Sequence, residues 1–401
     1  MNLPSLDNLT IEQYDAVMIP LDESCIVTGP PGSGKTVIAI LRLRQAHANG
    51  KKTKLITHKN VLKDFTSYFA LTGNAPEGIT SNTTTFDAWF KPAYKRIFNE
   101  YPPTLSNNRK DWWNYTWEKI VETALASKDI VNLNEGADVD VIIDEGQDLP
   151  KEFYYFANLL GATTTVFADE HQRLTETNSS LREIKTNSQI DRMVELTINF
   201  RNTRAIAEFA ESVADKCDPN HERLYISDLP SEKQGKGEKP TLFTCTDTDD
   251  VLDRLLNYAA NNAGQTVGIL TSTLKKQEDI YRSLLKKQQT MNLVNVPIQQ
   301  YSSDRVLENR KSVRKYPVPE WDKPGIYLIQ YASSKGLEFD LVYLPGLDQL
   351  TGNLANPEEP LTGMTFYTLI TRARQEVWLS YSGTDAPKIM DLFDKSKMEV
   401  L

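Results

Sequence analysis

An α/β chain built on two parallel sheets is what the sequence predicts, and three observations predict it. β-rich apolar runs alternate with helical periodicity almost from end to end, the pattern of strands joined by crossover helices. Runs such as residues 139–143 are nearly continuous in apolar character, as in strands buried on both faces. A length of 401 residues exceeds what one compact core usually holds and suits two domains of about 200 residues each.

The elements follow in order. IVTGPPGSGKTVIAI reads as an apolar strand, a glycine-rich turn and a helix. The turn Gly29, Pro30, Pro31, Gly32, Ser33, Gly34, Lys35, Thr36 is the form whose backbone N–H groups converge on phosphate oxygens. Lys35 would neutralise the β/γ-phosphates of ATP, and the Thr36 hydroxyl would ligate Mg²⁺. KLIT is the next strand. NRKDWWNYTWEKIVETAL holds Trp112, Trp113, Tyr115 and Trp117 beside basic residues, and is read as the aromatic core of a small helical piece in preference to a base-stacking platform. VDVIIDEGQDLP delivers Asp144 and Glu145 at a strand's C-terminal end, where ligands sit in open α/β sheets. There Asp144 can hold Mg²⁺ through water and Glu145 can act as general base. TTVFA and ELTIN complete the first set of strands.

Residues 217–240, rich in Pro, Gly and charge, form the expected linker or surface excursion. The second half restarts with TLFTC, VGIL, VPIQQY, IYLIQY, LVYLP and VWLSYS. The acidic cluster Asp247, Asp249, Asp250 and Asp253 is read as charge at a helix N-terminus. DLFDKSKMEVL is expected to be a last helix and a loose tail.

Composition narrows the classes. Cys25, Cys217 and Cys245 are scattered singly and four histidines stand isolated, so neither a disulfide framework nor a metal-ligand spacing is visible. No run of 18 apolar residues occurs and the N-terminus has no signal-like core, which leads to a cytoplasmic, membrane-free expectation. A net charge of −9 argues against a wholly basic surface and confines any nucleic-acid channel to a local patch.

After the phosphate-binding turn come DEGQD, FADEHQ, LTINFRNT, SSKGLEFD and LITRAR, in this order. With LTIEQYDAV at residue 9 they resemble the superfamily 1 helicases of the UvrD/Rep/PcrA type, over the chain to about residue 381. The short spacing from Phe86 to Asp144, and from Arg201 to Lys335, marks a compact form lacking the large inserted subdomains. The resemblance implies two RecA-like P-loop NTPase lobes, 1–202 and 203–401, with a small helical insertion at about 90–135. It implies ATP hydrolysis between the lobes, with Mg²⁺, coupled to 3′–5′ movement on single-stranded DNA.

Residue by residue, Gln13 matches the adenine-reading glutamine and Gln172 the glutamine that senses the γ-phosphate. Arg201 and Arg372 match the arginines that reach the γ-phosphate, Glu338 matches the second lobe's acidic nucleotide contact, and Phe200 could cover one face of the adenine. Thr57, Lys59, Thr85, Phe86 and Trp89 match first-lobe single-strand contacts; Ser333, Ser334 and Lys335 match those of the second lobe. For Phe86 and Trp89, helix-core packing is as good a reading as stacking.

The chain departs from the pattern in places. HQRLTETNSSLREI has no aromatic residue, Ala332 and Gln330 stand at a histidine and a threonine position, and Val37 follows Thr36 where an arginine is frequent. Two other functions therefore stay open. One is a nucleotide-gated regulatory subunit of a partner such as a nuclease, resembling the helicase-like subunit of the Gabija phage-defence system; the other is an RNA-directed helicase.

Overall fold

The computed structural model describes residues 3–57, 60–70, 79–105, 115–127, 140–169, 179–217, 237–245, 248–308, 311–321 and 323–401. The chain divides into two compact units, Met1–Pro30 with Gly34–Leu196, and Pro31–Ser33 with Thr197–Leu401. The main division thus falls a few residues before the expected residue 202, and three residues of the glycine-rich turn cluster with the second unit.

The first unit runs α1 (Ile11–Met18), β1 (Cys25–Thr28), α2 (Lys35–Ala48), β2 (Lys54–Thr57), α3 (Asn60–Ala70), β3 (Thr83–Thr85) and α4 (Phe86–Phe98). It continues through α5 (Trp117–Ser127), β4 (Val141–Ile143), α6 (Lys151–Leu159), β5 (Thr164–Ala168), α7 (Leu181–Ser188) and β6 (Met193–Glu195). Its six strands form one sheet in the order β3-β2-β4-β5-β1-β6, and every pairing is parallel. Val141–Ile143 and Thr164–Ala168 are buried along their whole length, as the continuous apolar runs require.

The order has a functional consequence. β5 lies between β4 and β1, with Ile143 in register with Val166 and Thr28 in register with Ala168. Parallel strands end on the same side of a sheet, so the residues that follow β4, β5 and β1 emerge as neighbours.

Aromatic packing fills one side of this unit. Phe86 and Trp89 on α4 are 7% and 9% exposed and sit among Phe90, Tyr115, Trp117 and Phe153. Phe86 stacks on Phe90 at 5.2 Å and meets Phe153 edge-on at 5.1 Å. Tyr115 and Trp117 are therefore core, as preferred from the sequence; Trp112 and Trp113 lie outside the described residues. The expected insertion begins inside a continuous helix, since α4 extends through Pro92 to Phe98.

A buried arginine ties α1 to the sheet. Arg42 on α2 is 1% exposed. Its Nη1 donates to the carbonyls of Ala16, Val17 and Ile19 at 3.2, 3.1 and 2.8 Å, and its Nη2 to Thr165 Oγ1 at 3.3 Å. Those carbonyls end α1 and have no helical donor of their own. Arg42→Met keeps the volume but strands them in the interior, so the substitution is expected to cost about 3 kcal/mol. Urea unfolding with an unchanged m-value checks this.

The second unit runs α8 (Arg204–Cys217), β7 (Thr241–Cys245), α9 (Thr248–Asn261), β8 (Thr266–Thr271), α10 (Leu274–Thr290), β9 (Ile298–Gln300), β10 (Arg305–Glu308) and β11 (Lys311–Arg314). Then follow β12 (Gly325–Gln330), β13 (Phe339–Leu344), α11 (Pro360–Ile370), β14 (Ala373–Ser382) and β15 (Glu399–Val400). Seven strands form a parallel sheet in the order β15-β7-β14-β13-β8-β12-β9, and β10 and β11 pair separately as an antiparallel ribbon. Each unit is thus a parallel α/β sheet with helices, consistent with a RecA-like lobe.

One expectation needs correction. DLFDKSKMEVL forms short 3₁₀ turns and then strand β15 beside β7, not a helix and loose tail. Leu401 N donates to Leu242 O at 2.9 Å, so the terminus pairs an otherwise open sheet edge. Most of the expected 217–240 excursion lies outside the described residues. Asp249 and Asp250 do occupy the first turn of α9.

Candidate nucleotide and nucleic-acid sites

In the first unit, Lys35 opens α2 directly after the glycine-rich turn. Gly34 takes φ 94° and caps α2; a Cβ there would stand 2.8 Å from Gln13 Nε2. Gly32 takes φ 79°; a Cβ there would stand 2.5 Å from both Arg201 Cβ and Asn199 Oδ1. Both positions demand glycine, for backbone angle and for space. The turn is therefore a cradle of bare backbone, with Gly29 and Pro30 lending their carbonyls to Lys35 Nζ at 2.6 and 2.9 Å.

Lys35 Nζ also pairs with Asp169 Oδ2 at 3.2 Å. Thr36 Oγ1 donates to Asp144 Oδ2 at 2.9 Å. Asp144, Glu145 and Asp169 are all buried, at 2%, 8% and 1% exposure. Burial first, and the adjacent Glu145 second, push the Asp144 carboxyl up to about 7, against the Thr36 hydroxyl and Lys35, which favour its anion. Two buried acids beside a hydroxyl make a hard-oxygen set of the chemistry a divalent cation such as Mg²⁺ takes, and Thr36 and Asp144 are the residues that could hold one.

Glu145 itself sits in the left-handed region at φ 58°, ψ 48°. A non-glycine residue there is unusual and is retained only where its surroundings fix it. What fixes it is Gln147, a fully buried residue that sequence reasoning missed. Gln147 Nε2 donates to Glu145 Oε2 at 2.5 Å, and its Oε1 accepts from Asp169 N at 3.0 Å. The signal was available as the fourth letter of DEGQD, but an amide only reveals its role once β4 and β5 are adjacent.

Gln13 closes a capping box at the start of α1: its Oε1 accepts from Thr10 N at 3.1 Å while its own N donates to Thr10 Oγ1 at 3.2 Å. Ser33 is 1% exposed and Pro31 is buried as well. Gln172 and Lys59 lie outside the described residues.

The second unit holds a separate charged group. Arg201 Nε donates to Glu338 Oε2 at 3.0 Å and its Nη1 to Thr371 O at 3.3 Å. Arg374 pairs with Glu338 Oε1 and, at 3.5 Å, with Asp340. Burial alone would raise Glu338, but Arg201 and Arg374 outweigh it and hold the carboxyl at about 2. The partner of Glu338 from TRAR is thus Arg374. Arg372 is 1% exposed, and its Nε donates back to Thr368 O at 3.0 Å on the last turn of α11.

Asn199 and Asn202, also missed, set Arg201 in place. Asn199 Oδ1 accepts from the backbone N–H groups of Arg201 and Asn202 at 2.9 and 3.2 Å, and Asn202 Nδ2 donates to Thr371 O and Ala373 O at 3.2 and 2.6 Å. Phe200 N donates to Gly32 O at 3.0 Å, and its ring is 36% exposed.

The nucleic-acid candidates divide. Thr85 and Ser333 are partly exposed. Thr57 and Ser334 are fully buried and Lys335 is 4% exposed, with Ser334 Oγ donating to Tyr331 O at 2.9 Å. Of the two readings open for Phe86 and Trp89, the structure has core packing: both are buried, with neighbouring rings against them. Among the described residues, no helix is long and apolar enough to cross a membrane.

No protein-family profile and no curated protein matches the chain. One solved structure that does match in part is the C-terminal domain of a possible DNA helicase from Lactobacillus plantarum WCFS1. The match has 19% identity and a TM-score of 0.31, and covers 50% of this chain and 98% of that one. A likeness this distant concerns fold alone.

Proposed function

We propose that the chain hydrolyses ATP with Mg²⁺ and couples hydrolysis to movement along single-stranded DNA. One observation carries the ATPase reading: Lys35, Thr36, Asp144, Glu145 and Asp169 are brought together where adjacent strands β1, β4 and β5 end. That combination of a glycine cradle, an ammonium, a hydroxyl and buried carboxylates suits a polyphosphate and suits few other ligands.

In this reading the turn's backbone N–H groups bind the phosphates and Lys35 leaves Asp169 to neutralise them. Mg²⁺, held by Thr36 and Asp144, would neutralise charge on the phosphates. Glu145, aimed by Gln147, takes the proton of the attacking water. Gln13 recognises the base from its place against Gly34, and Phe200 covers it. Arg201 supplies a guanidinium to the transferred phosphoryl group, with Arg372 and Glu338 as further contacts. Thr85 and Ser333 hold the sugar-phosphate backbone.

The test is steady-state ATPase measured alone and with single-stranded DNA, single-stranded RNA or duplex. Stimulation by single-stranded DNA supports the proposal; RNA as the stronger activator would reassign the track, and no response to any strand would count against a motor. Gln147→Ala is expected to lower kcat about 10- to 100-fold with KM nearly unchanged, because it frees the base without touching the cradle. An equal rise in KM would make Gln147 a cradle residue instead.

A second reading is a nucleotide-gated regulatory subunit with little unwinding. What favours it is the burial of Phe86 and Trp89, which removes two rings from base stacking. Strand displacement on tailed duplexes, with and without a co-purified partner, separates the two readings.

A further inference from the structure

Helix α1 turns its small residues inward and its large ones outward. Ala16 and Val17 are buried, while Ile11 is 82% exposed and Tyr14 and Met18 are each close to half exposed. Those three stand at i, i+3 and i+7, within about 60° of arc at about 100° per residue, so they form one row along the helix. A helix held to its own domain by its larger apolar side chains shows the reverse. Strand β6, an edge strand of the first sheet, lies against α1 and adds a half-exposed Met193. Leu6, on the 3₁₀ turn before α1, is exposed as well.

The charge of these segments has one sign. Residues 1–34 and 190–196 hold a single Lys or Arg, Arg192, and its Nη1 is paired with Glu23 at 3.1 Å. Asp7, Asp15 and Asp22 on the α1 side, and Asp191 and Glu195 on the β6 side, are exposed and in no ion pair among the described residues. Asp15 stands beside the apolar row, about 40° around the helix from Ile11. Neither feature stabilises this unit by itself, since the row stays in water and unpaired like charges repel. An exposed apolar patch with a polar rim is the mark of a surface that meets another molecule.

We propose that the α1–β6 face docks a cationic amphipathic helix of a partner protein. The row Ile11, Tyr14, Met18 is a ridge of the kind that seats between the side-chain rows of a second helix. Met18 and Met193 adapt their shape to what covers them. The acidic rim selects a partner whose apolar stripe is flanked by Lys or Arg, and excludes like-charged surfaces. Nucleic acid and an anionic membrane carry the rim's own sign, and a second copy of this face would set acids against acids. Strand addition is not the mode, because β6 has three residues and offers too short an edge. The inference names a protein partner by its chemistry and rests on neither the ATPase nor the single-strand track.

The test is fluorescence anisotropy of a labelled helical peptide of leucine and lysine, titrated with the full chain at low and high salt. A serine–lysine peptide of the same charge is the reference. The leucine peptide should bind about tenfold more tightly than the reference, and Tyr14→Ser/Met18→Ser should remove that advantage with the melting temperature as in the wild type. Asp7→Asn/Asp15→Asn/Asp22→Asn should keep the preference for leucine and lose most of the salt dependence. Equal binding of the two peptides by the wild type overturns the proposal, as does a serine variant that keeps the preference or an asparagine variant with unchanged salt dependence. Binding to anionic lipid vesicles, or self-association in sedimentation, that the serine variant abolishes would also overturn it, giving the face to a membrane or to a second copy.

Discussion

Glu145→Gln is expected to lower ATP turnover by about 10²–10⁴-fold while leaving nucleotide affinity within a few-fold of wild type. The substitution changes two atoms' chemistry and almost no volume. The new amide can still accept from Gln147 Nε2, which stands 2.5 Å from Glu145 Oε2, so the loop has no reason to move. What is lost is the ability to take a proton. The left-handed backbone at Glu145 places this side chain beside Asp144 by geometry that glutamine adopts equally well. Steady-state ATPase and equilibrium nucleotide binding, measured on the same preparation, check both halves. Turnover within tenfold of wild type would mean that another group is the base.

Arg201→Ala is expected to slow single-turnover hydrolysis by about 10³–10⁵-fold, the range over which a positioned guanidinium acts on phosphoryl transfer. Its side chain begins where Gly32 leaves no room for a Cβ, and its guanidinium is held by Glu338 and Thr371. Removal also leaves Glu338 buried with Arg374 as its remaining guanidinium partner among the described residues, which costs stability. Arg201→Lys separates the two effects. An ammonium keeps a charge on Glu338, so melting temperature recovers, but it lacks the planar fork and turnover stays low. Full recovery of rate by lysine would show that charge alone suffices.

The sequence displays some of this clearly and hides the rest for physical reasons. The glycine-rich turn and the acids after VDVII were legible because backbone geometry and charge are local properties. β1, β2, β4 and β5, and six strands of the second sheet, were legible because their apolar, β-rich runs stand out between helical segments, and in β4, β5 and β13 the run is buried along its whole length. Gln147, Asn199 and Asn202 were not, because an amide becomes structural only through partners brought in by other strands. Phe86 and Trp89 could not be decided from spacing, since a ring in a core and a ring under a base look alike in sequence. The ribbon at β10–β11 was missed because half of its strand residues are charged, and β15 because two residues carry no periodicity.

The account rests on one triphosphate being held by Lys35, Thr36 and the buried acids. Calorimetric titration of ATP into the Glu145→Gln protein, with Mg²⁺ and then with EDTA, tests that most directly. The account predicts one site per chain whose affinity falls at least tenfold when the metal is removed, and whose heat disappears when Lys35→Ala is added to the same chain. Binding that ignores both the metal and the lysine would contradict it.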